Sequence, residues 1–338
     1  MQYLAESPCL VTGATGFLGT ALVRRLLHDG VAPERMRCLV RDPAAAIARG
    51  IPAISIRSGD LRDATAVREA VDGVGLVFHL AGTLKAARAA DYFAVNRDAT
   101  AVLAEVVASS ASDAFVVHVS SLAAAGPSTD GRGSDLPPSD CRPVSCYGDS
   151  KRLGEIAMLQ RCAKVAIVRP PVVYGPGDAA TRLLFRQALA PVCAVPPRTR
   201  PLSVVHSSDV VEALVAVART APAGVVLPLD GCERTDTHAF LRAIAAACDR
   251  HARLLPVPLA LAAATATFCD LLAALTGRAG YFNGDKVREL RAPGWVADGS
   301  TAARILSFRP RISLVDGLRA VALTEGFRGV DHSDPPGR

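Results

Sequence analysis

Short apolar runs recur through the first half of the chain: Cys9-Leu10-Val11, Arg37 to Val40, Ala53 to Ile56, Leu76 to Leu80, Phe115 to Val119 and Val165 to Val168. They are nearly continuous rather than alternating, as expected of strands buried on both faces. Segments with helical apolar spacing stand between them: Phe17 to His28, Ala64 to Val71, and a longer stretch that begins near Tyr92 and runs from about Phe93 to Ala108. Strand and helix in strict alternation predict an α/β fold built on a doubly wound parallel sheet covered by helices on both sides.

After the sixth run prolines crowd the chain: Pro170, Pro171, Pro176, Pro191, Pro196, Pro197 and Pro201. This composition predicts that the chain leaves the sheet to build a smaller, mostly helical C-terminal substrate lobe. A helix from Ser208 to Arg219, with Ser208 as N-cap, is expected to return to the sheet. The division that follows is a nucleotide-binding unit over 1–175 with 204–222 returning to it, a substrate lobe over 176–203 and 223–330, and a loose polar tail over 331–338.

Of the 338 residues half are hydrophobic, enough for a sizeable core. The net charge of +6 does not gather into a basic face, and aromatics are only 5% of the chain, so nucleic acid is not an expected partner. Only four lysines occur (Lys85, Lys151, Lys164 and Lys286) among many arginines and alanines, a composition typical of GC-rich bacterial genes. Nine cysteines at irregular spacing, with no CxxC pair, speak for a reducing compartment and against a disulfide framework or a metal site. The first strand is entered by about Pro8, leaving no room for a signal peptide, and a cytoplasmic location is expected. One stretch complicates that picture. Residues 254–277 (LLPVPLALAAATATFCDLLAALTG) approach a membrane span in length, but Pro256 and Pro258 interrupt the start and Asp270 lies inside. They read either as one or two buried helices of the lobe or as an apolar lid that accepts a lipophilic substrate or rests on a membrane surface.

Two motifs carry chemistry. Thr12-Gly-Ala-Thr-Gly-Phe-Leu-Gly19 joins a strand to a helix, the setting in which Gly13, Gly16 and Gly19 make a tight turn, admit a pyrophosphate and let the helix pack closely. At the end of the second strand, where the adenosine ribose is read, the chain has Arg41 followed by Asp42. An arginine there suits a 2′-phosphate and an acid suits a free 2′-hydroxyl, so NADP(H) is favoured and NAD(H) stays possible. Tyr147-Gly-Asp-Ser-Lys151 places a phenol and an ammonium one helical turn apart. A neighbouring cation is expected to lower the tyrosine pKa and fit it for proton exchange with an alcohol or carbonyl.

These residues, together with Gly59-Asp60-Leu61, His79 to Gly82, Asn96, Ser120-Ser121, Arg169 to Asp178, Val205 to Leu214 and Ser307 to Leu318, resemble the extended short-chain dehydrogenase/reductases, a Rossmann-like family, over nearly the whole chain. The resemblance implies Ser121, Tyr147 and Lys151 as the catalytic set, with Ser121 preferred to Ser120. It further implies a cofactor held by Gly13, Thr15, Gly16, Phe17, Leu18 and Gly19 at the pyrophosphate, and by Arg41, Asp60 and Leu61 at the adenosine. Leu80, Ala81, Gly82 and Asn96 would lie along the ribose side, and Tyr147, Lys151, Pro170 and Val173 at the nicotinamide end. Homodimerisation through the Asn96 and Tyr147 helices is the family's usual mode.

Departures from the family narrow the reaction. Sugar-nucleotide dehydratases carry an Asp-Glu pair where this chain has Leu122-Ala123, so dehydration is disfavoured. Sugar-nucleotide epimerases carry a phosphate-binding arginine seven residues before the acid of the VHxxD segment, a position held here by Leu202, with Arg200 two residues off. What remains resembles the reductase and 3β-hydroxysteroid-dehydrogenase-like branch, acting on a lipophilic, sterol-like carbonyl or alcohol. A nucleotide-sugar 4-epimerase and a non-catalytic NAD(P)-binding regulator are the alternatives.

Overall fold

In the computed structural model, which describes residues 7–277, 280 and 282–328, the apolar runs assemble into one seven-stranded parallel sheet. Its strands are β1 (Cys9–Thr12), β2 (Met36–Val40), β3 (Ile56–Ser58), β4 (Leu76–His79), β5 (Phe115–Val119), β6 (Val165–Arg169) and, much later, β10 (Val225–Pro228), in the spatial order β10-β6-β5-β4-β1-β2-β3. Strand order reverses between β1 and β4, whose register pairs Thr12 with His79, and a ligand crevice opens at such a switch point beyond the strand ends. Every residue of β1, β4, β5 and β6 is buried, which is why these strands read as unbroken apolar runs.

Helices cover both faces. The first-half helices are α1 (Phe17–His28), α2 (Pro43–Ala48), α3 (Ala64–Val71), α4 (Ala89–Phe93), α5 (Thr100–Ser110), α6 (Leu122–Ala125) and α7 (Cys146–Arg161). One core packs Leu22, Val23 and Leu26 of α1 against Met36, Phe78 and Phe115. The other packs Val67 and Val71 of α3 and Leu103 and Val107 of α5 against Leu10, Val77 and Val116.

The C-terminal half adds α8 (Ala179–Leu189), α9 (Ser207–Thr220), α10 (Thr237–Ala247), α11 (Leu259–Thr276), α12 (Gly284–Arg291), α13 (Ser300–Leu306) and α14 (Leu314–Thr324). Two small sheets belong to the lobe: β7 (Val172–Tyr174) with β9 (Pro201–His206) and β11 (Arg234–Asp236), and β8 (Cys193–Val195) with β12 (Leu254–Pro256). Tyr174, Phe185, Phe240, Ile244 and Val321 form the lobe's own core.

Several boundaries differ from the sequence reading. Ala53–Ser55 is a 3-10 turn and the third strand follows it at Ile56–Ser58, because Ser55 Oγ donates to the Pro33 carbonyl at 2.7 Å and holds a turn rather than a ladder. The returning helix starts at Ser207 and its cap is His206, not Ser208: the imidazole Nδ1 accepts from the Ser208 N–H at 3.2 Å. The return also runs further than 204–222, since Val225–Pro228 pairs with β6 as the edge strand of the main sheet. The long helix of the first half is interrupted by a π-turn over Ala94–Ala99. Finally, α11 is not a buried helix: only Ala266 and Ala273 of its residues are buried. Residues 329–338, and with them the tail over 331–338, lie outside the described residues.

Candidate active site

The glycine loop is forced by close contacts. Gly13 has φ +73°, and a Cβ on it would stand 2.6 Å from the Ala81 nitrogen; one on Gly19 would stand 2.0 Å from the Gly13 carbonyl oxygen. Only glycines let β1, the β4 end at Leu80–Gly82 and the first turn of α1 converge here. Gly16 caps α1 without any side-chain hydrogen bond, and no acidic side chain stands in the first turn. The helix therefore presents the positive end of its dipole and open N–H groups beside Thr15, Gly16, Phe17 and Leu18. Such a cradle fits a dinucleotide pyrophosphate.

At the adenosine end Arg41 is exposed directly after β2, whereas the Asp42 carboxylate is occupied as the N-cap of α2, accepting from Ala45 N–H at 3.0 Å. Asp60 binds Arg62 through both oxygens, and these hydrogen bonds, helped by Arg41, lower its pKa to about 2. Leu61 packs beside it on the α3/α5 core. Sequence reasoning missed Arg49, which follows α2 and donates to the Thr15 carbonyl on the glycine loop. The signal was present in the Asp42-Pro43 helix start, since a six-residue helix turns the chain back to the loop.

The reacting groups are brought together by α7. Ser121, the last residue before α6, has an extended backbone and accepts from Ala123 N–H at 3.2 Å. Its hydroxyl stands beside the Tyr147 phenol and acts to lower the phenol's pKa. The Ser120 hydroxyl is buried and has no partner among the described residues, so Ser121 alone of the two meets Tyr147. Burial raises the Tyr147 pKa above its usual value, with the Glu289 charge acting in the same direction. The expectation that Lys151 depresses this pKa is not met. Lys151 Nζ instead donates to the Val119 carbonyl at 2.8 Å, and burial, partly opposed by Glu155, lowers its own pKa to about 8.

Asn96 is buried in the π-turn and acts as a clamp. Its Oδ1 accepts from Thr83 N–H at 2.8 Å, and its Nδ2 donates to the Thr83 carbonyl at 3.1 Å and to Ser150 Oγ at 2.9 Å. It ties the loop after β4 to α7. A Cβ on Gly82 would meet both Asn96 Oδ1 at 3.1 Å and Lys151 Nζ at 3.6 Å, so this loop, the clamp and the lysine share one small volume. On the far side the Pro170 carbonyl accepts from Leu122 N–H at 2.9 Å, and Val173 of β7 packs on the sheet core. The glycine loop, Leu80–Gly82, Asn96 and Lys151 thus meet beyond the ends of β1 and β4.

The lobe reaches this centre through α12. Asp285 accepts from the backbone N–H groups of Cys146 at 3.1 Å and Tyr147 at 3.0 Å, Glu289 Oε1 accepts from Ser145 Oγ at 2.9 Å, and Asn283 Nδ2 donates to Tyr92 OH at 3.4 Å. Tyr92 in turn packs edge-on to Tyr147, ring centres 6.0 Å apart. Leu202 is buried in the small sheet, and the Arg200 guanidinium donates to the Ala292 carbonyl at 2.7 Å.

Comparison with known proteins matches this arrangement. The family described as NAD dependent epimerase/dehydratase matches residues 9–227. A ceramide reductase of Caulobacter vibrioides is 33% identical over 319 residues, covering 93% of this chain and 92% of that protein. A sterol demethylase protein B of Methylococcus capsulatus is 33% identical over 186 residues, 53% of this chain and 56% of that protein. Among solved structures, the dTDP-glucose 4,6-dehydratase DesIV of Streptomyces venezuelae superposes with a TM-score of 0.73 at 20% identity, covering 92% of this chain and 94% of that one, a likeness of fold. The chain belongs to the NAD-dependent epimerase/dehydratase family and is an NAD(P)-dependent enzyme of the extended short-chain dehydrogenase/reductase type.

Proposed function

We propose that the enzyme reduces a carbonyl on a lipophilic substrate with NADPH. The observation that carries this reading is the half-buried Ser121 beside the half-buried Tyr147 phenol, with the buried Lys151 one turn further along the same helix. When bound, the nicotinamide supplies the hydride. The chain's own residues handle the oxygen: Ser121 holds it, and Tyr147 gives it a proton. A phenol whose pKa is raised by burial stays protonated at neutral pH, which suits an acid better than a base and favours the reductive direction. Lys151 stands as a buried cation beside the Asn96 clamp, where the resemblance puts the nicotinamide ribose.

NADPH over NADH is supported by the exposed Arg41 and by the engagement of Asp42 as a helix cap. The lipophilic class is supported by the relatives named for ceramide and sterol chemistry, the former over nearly the full length of both chains. It also fits the wall of the site. Leu202 is buried where an epimerase would present a phosphate-binding arginine, Arg200 is turned onto a backbone carbonyl, and the acids Asp285 and Glu289 stand beside the Tyr147 turn. These make a poor neighbourhood for a diphosphate. The test follows NADPH absorbance with a ceramide-type amide bearing a chain ketone and with a 3-ketosteroid, and chromatographic separation of the C4 epimers with a UDP-hexose. Turnover of either lipid is expected. Binding and conversion of the UDP-hexose alone would replace this reading with a nucleotide-sugar epimerase.

A further inference from the structure

Helix α11 is built inside out for a soluble lobe. The neighbouring α10 buries Phe240, Leu241 and Ile244, while α11 buries only the small side chains of Ala266 and Ala273. Its bulky residues face outward: Leu261 is 59% exposed, Phe268 61%, Leu271 58%, Leu272 44% and Leu275 75%. At about 100° per residue these five fall within an arc of roughly 100°, one continuous apolar stripe. Asp270 lies on the opposite side and accepts from Gly284 N–H at 3.0 Å, which fixes the helix to the lobe by its inner face.

We propose that this stripe lies in the surface of an anionic lipid bilayer, with α11 parallel to the membrane plane. At about 1.5 Å per residue its 18 residues have the length of a span, and their mean hydropathy is 1.7. The helix is nevertheless held flat, because Ala266 and Ala273 are packed inward, Asp270 is tied near its middle, and both ends lead into β12 and α12 of the same lobe. Charge decides the partner. Arg250 and Arg253 before the helix and Arg291 after it are exposed and form no ion pair among the described residues, whereas Lys286 and Arg288 are paired with Glu289 and Asp285. The acids of this stretch all have partners within the protein: Asp249 pairs with Arg328, Asp270 holds Gly284, Asp285 caps α7 and pairs with Arg288, and Glu289 takes Ser145 and Lys286. The surface around the stripe is therefore apolar and cationic, the combination that an anionic bilayer recognises and a second copy carrying the same charges does not. The attachment leads to the site, since α11 holds Gly284 at the start of α12, and α12 holds the N-terminus of the Tyr147 helix.

Flotation of the purified full chain with phosphatidylglycerol-rich vesicles tests this without any turnover, so the result stands apart from the substrate reading. The wild type should float with these vesicles, less with pure phosphatidylcholine, and less in high salt. Leu271→Glu/Leu275→Glu should bind at least about tenfold more weakly, with unchanged melting and unchanged cofactor titration, since both side chains are on the exposed stripe. Phe268→Trp should show an emission blue shift on adding the anionic vesicles. A wild type that stays in the soluble fraction, or a double variant that floats equally well, overturns the proposal. So does a wild-type dimer that ignores vesicles and is split by the double substitution, which would assign the stripe to a second copy.

Discussion

The Asp285 carboxylate accepts the backbone N–H of Tyr147 at 3.0 Å, so a residue of the C-terminal lobe fixes the turn that carries the candidate proton donor. The same carboxylate takes the Cys146 N–H at 3.1 Å, and Ser145 Oγ takes Gly148 N–H at 3.0 Å, so three of the orphan donors opening α7 are satisfied. The C-terminal lobe and the Tyr147 helix are thereby one mechanical unit. Asp285→Ala should cost about 1–2 kcal/mol, in the range of a lost N-cap, and lower kcat several-fold with cofactor affinity intact. Asp285→Asn, which keeps one acceptor, should recover most of the stability. Unchanged melting and unchanged kcat in the alanine variant would detach the lobe from the positioning of Tyr147.

Tyr147→Phe should reduce turnover by at least about a hundredfold, an ordinary general-acid contribution, with cofactor binding nearly unchanged. Ser121→Ala should also fall. Ser120→Ala should fall much less, because the Ser120 hydroxyl meets no partner among the described residues while Ser121 stands beside the phenol. Wild-type kcat in Tyr147→Phe would exclude the phenol as the acid.

What could be read from the chain was set by local spacing and by burial on both faces. The strands Phe115–Val119 and Leu76–His79 are uniformly buried, so their apolar runs were unambiguous. The edge strand Ile56–Ser58 is half-buried at best, and its run was misplaced by a turn held from a distance by the Pro33 carbonyl. The glycine loop and the Tyr147–Lys151 spacing lie within single elements and were legible. Asp285 and Glu289 reach the site from another element, and nothing local marks a side chain whose partner lies up to 144 residues away. The direction of the Tyr147 shift is set by burial and by the Glu289 charge from another element, neither of which the Tyr147–Lys151 spacing announces.

Arg41→Ala should erase a preference for NADPH over NADH, measured by titration with both cofactors, since a 2′-phosphate gains charge-assisted hydrogen bonds from a guanidinium that a free hydroxyl does not. Asp42→Asn should leave that preference in place, because its carboxylate serves the start of α2. Equal affinities in the wild type would move the discrimination away from the end of β2.

Glu155 and Arg169 form a fully buried ion pair, with Arg169 Nε and Nη2 donating to the two carboxylate oxygens at 2.9 and 2.6 Å. Arg169 Nη1 also donates to the carbonyls of Ser134 and Leu136, holding the loop between Ser121 and Tyr147. Glu155→Ala would leave an unpaired buried cation and should cost about 3–5 kcal/mol. Denaturant unfolding gives the value; a loss below about 1 kcal/mol would show that the guanidinium finds other partners.

The pH dependence of reduction follows from Lys151 and Tyr147 taken together. The Tyr147 pKa is raised above its usual value, so the phenol keeps its proton throughout the neutral and mildly alkaline range. The Lys151 pKa is lowered to about 8, so its ammonium is present below that pH and is lost as pH rises through it. If the cation is needed to orient the bound cofactor, kcat/KM for reduction should be flat below about pH 8 and fall above it. Stability should move the opposite way. An unfolded lysine holds its proton to about 10.4, so between about 8 and that value the unfolded chain binds more protons than the folded one, and raising the pH removes the cost of burying the cation. This term alone makes the fold more stable across the window in which activity declines. Rates and melting recorded from pH 6 to 10 separate the two effects, with Lys151→Met as the reference that lacks both. A wild-type rate constant through pH 9.5 would mean that the ammonium has no part in the step.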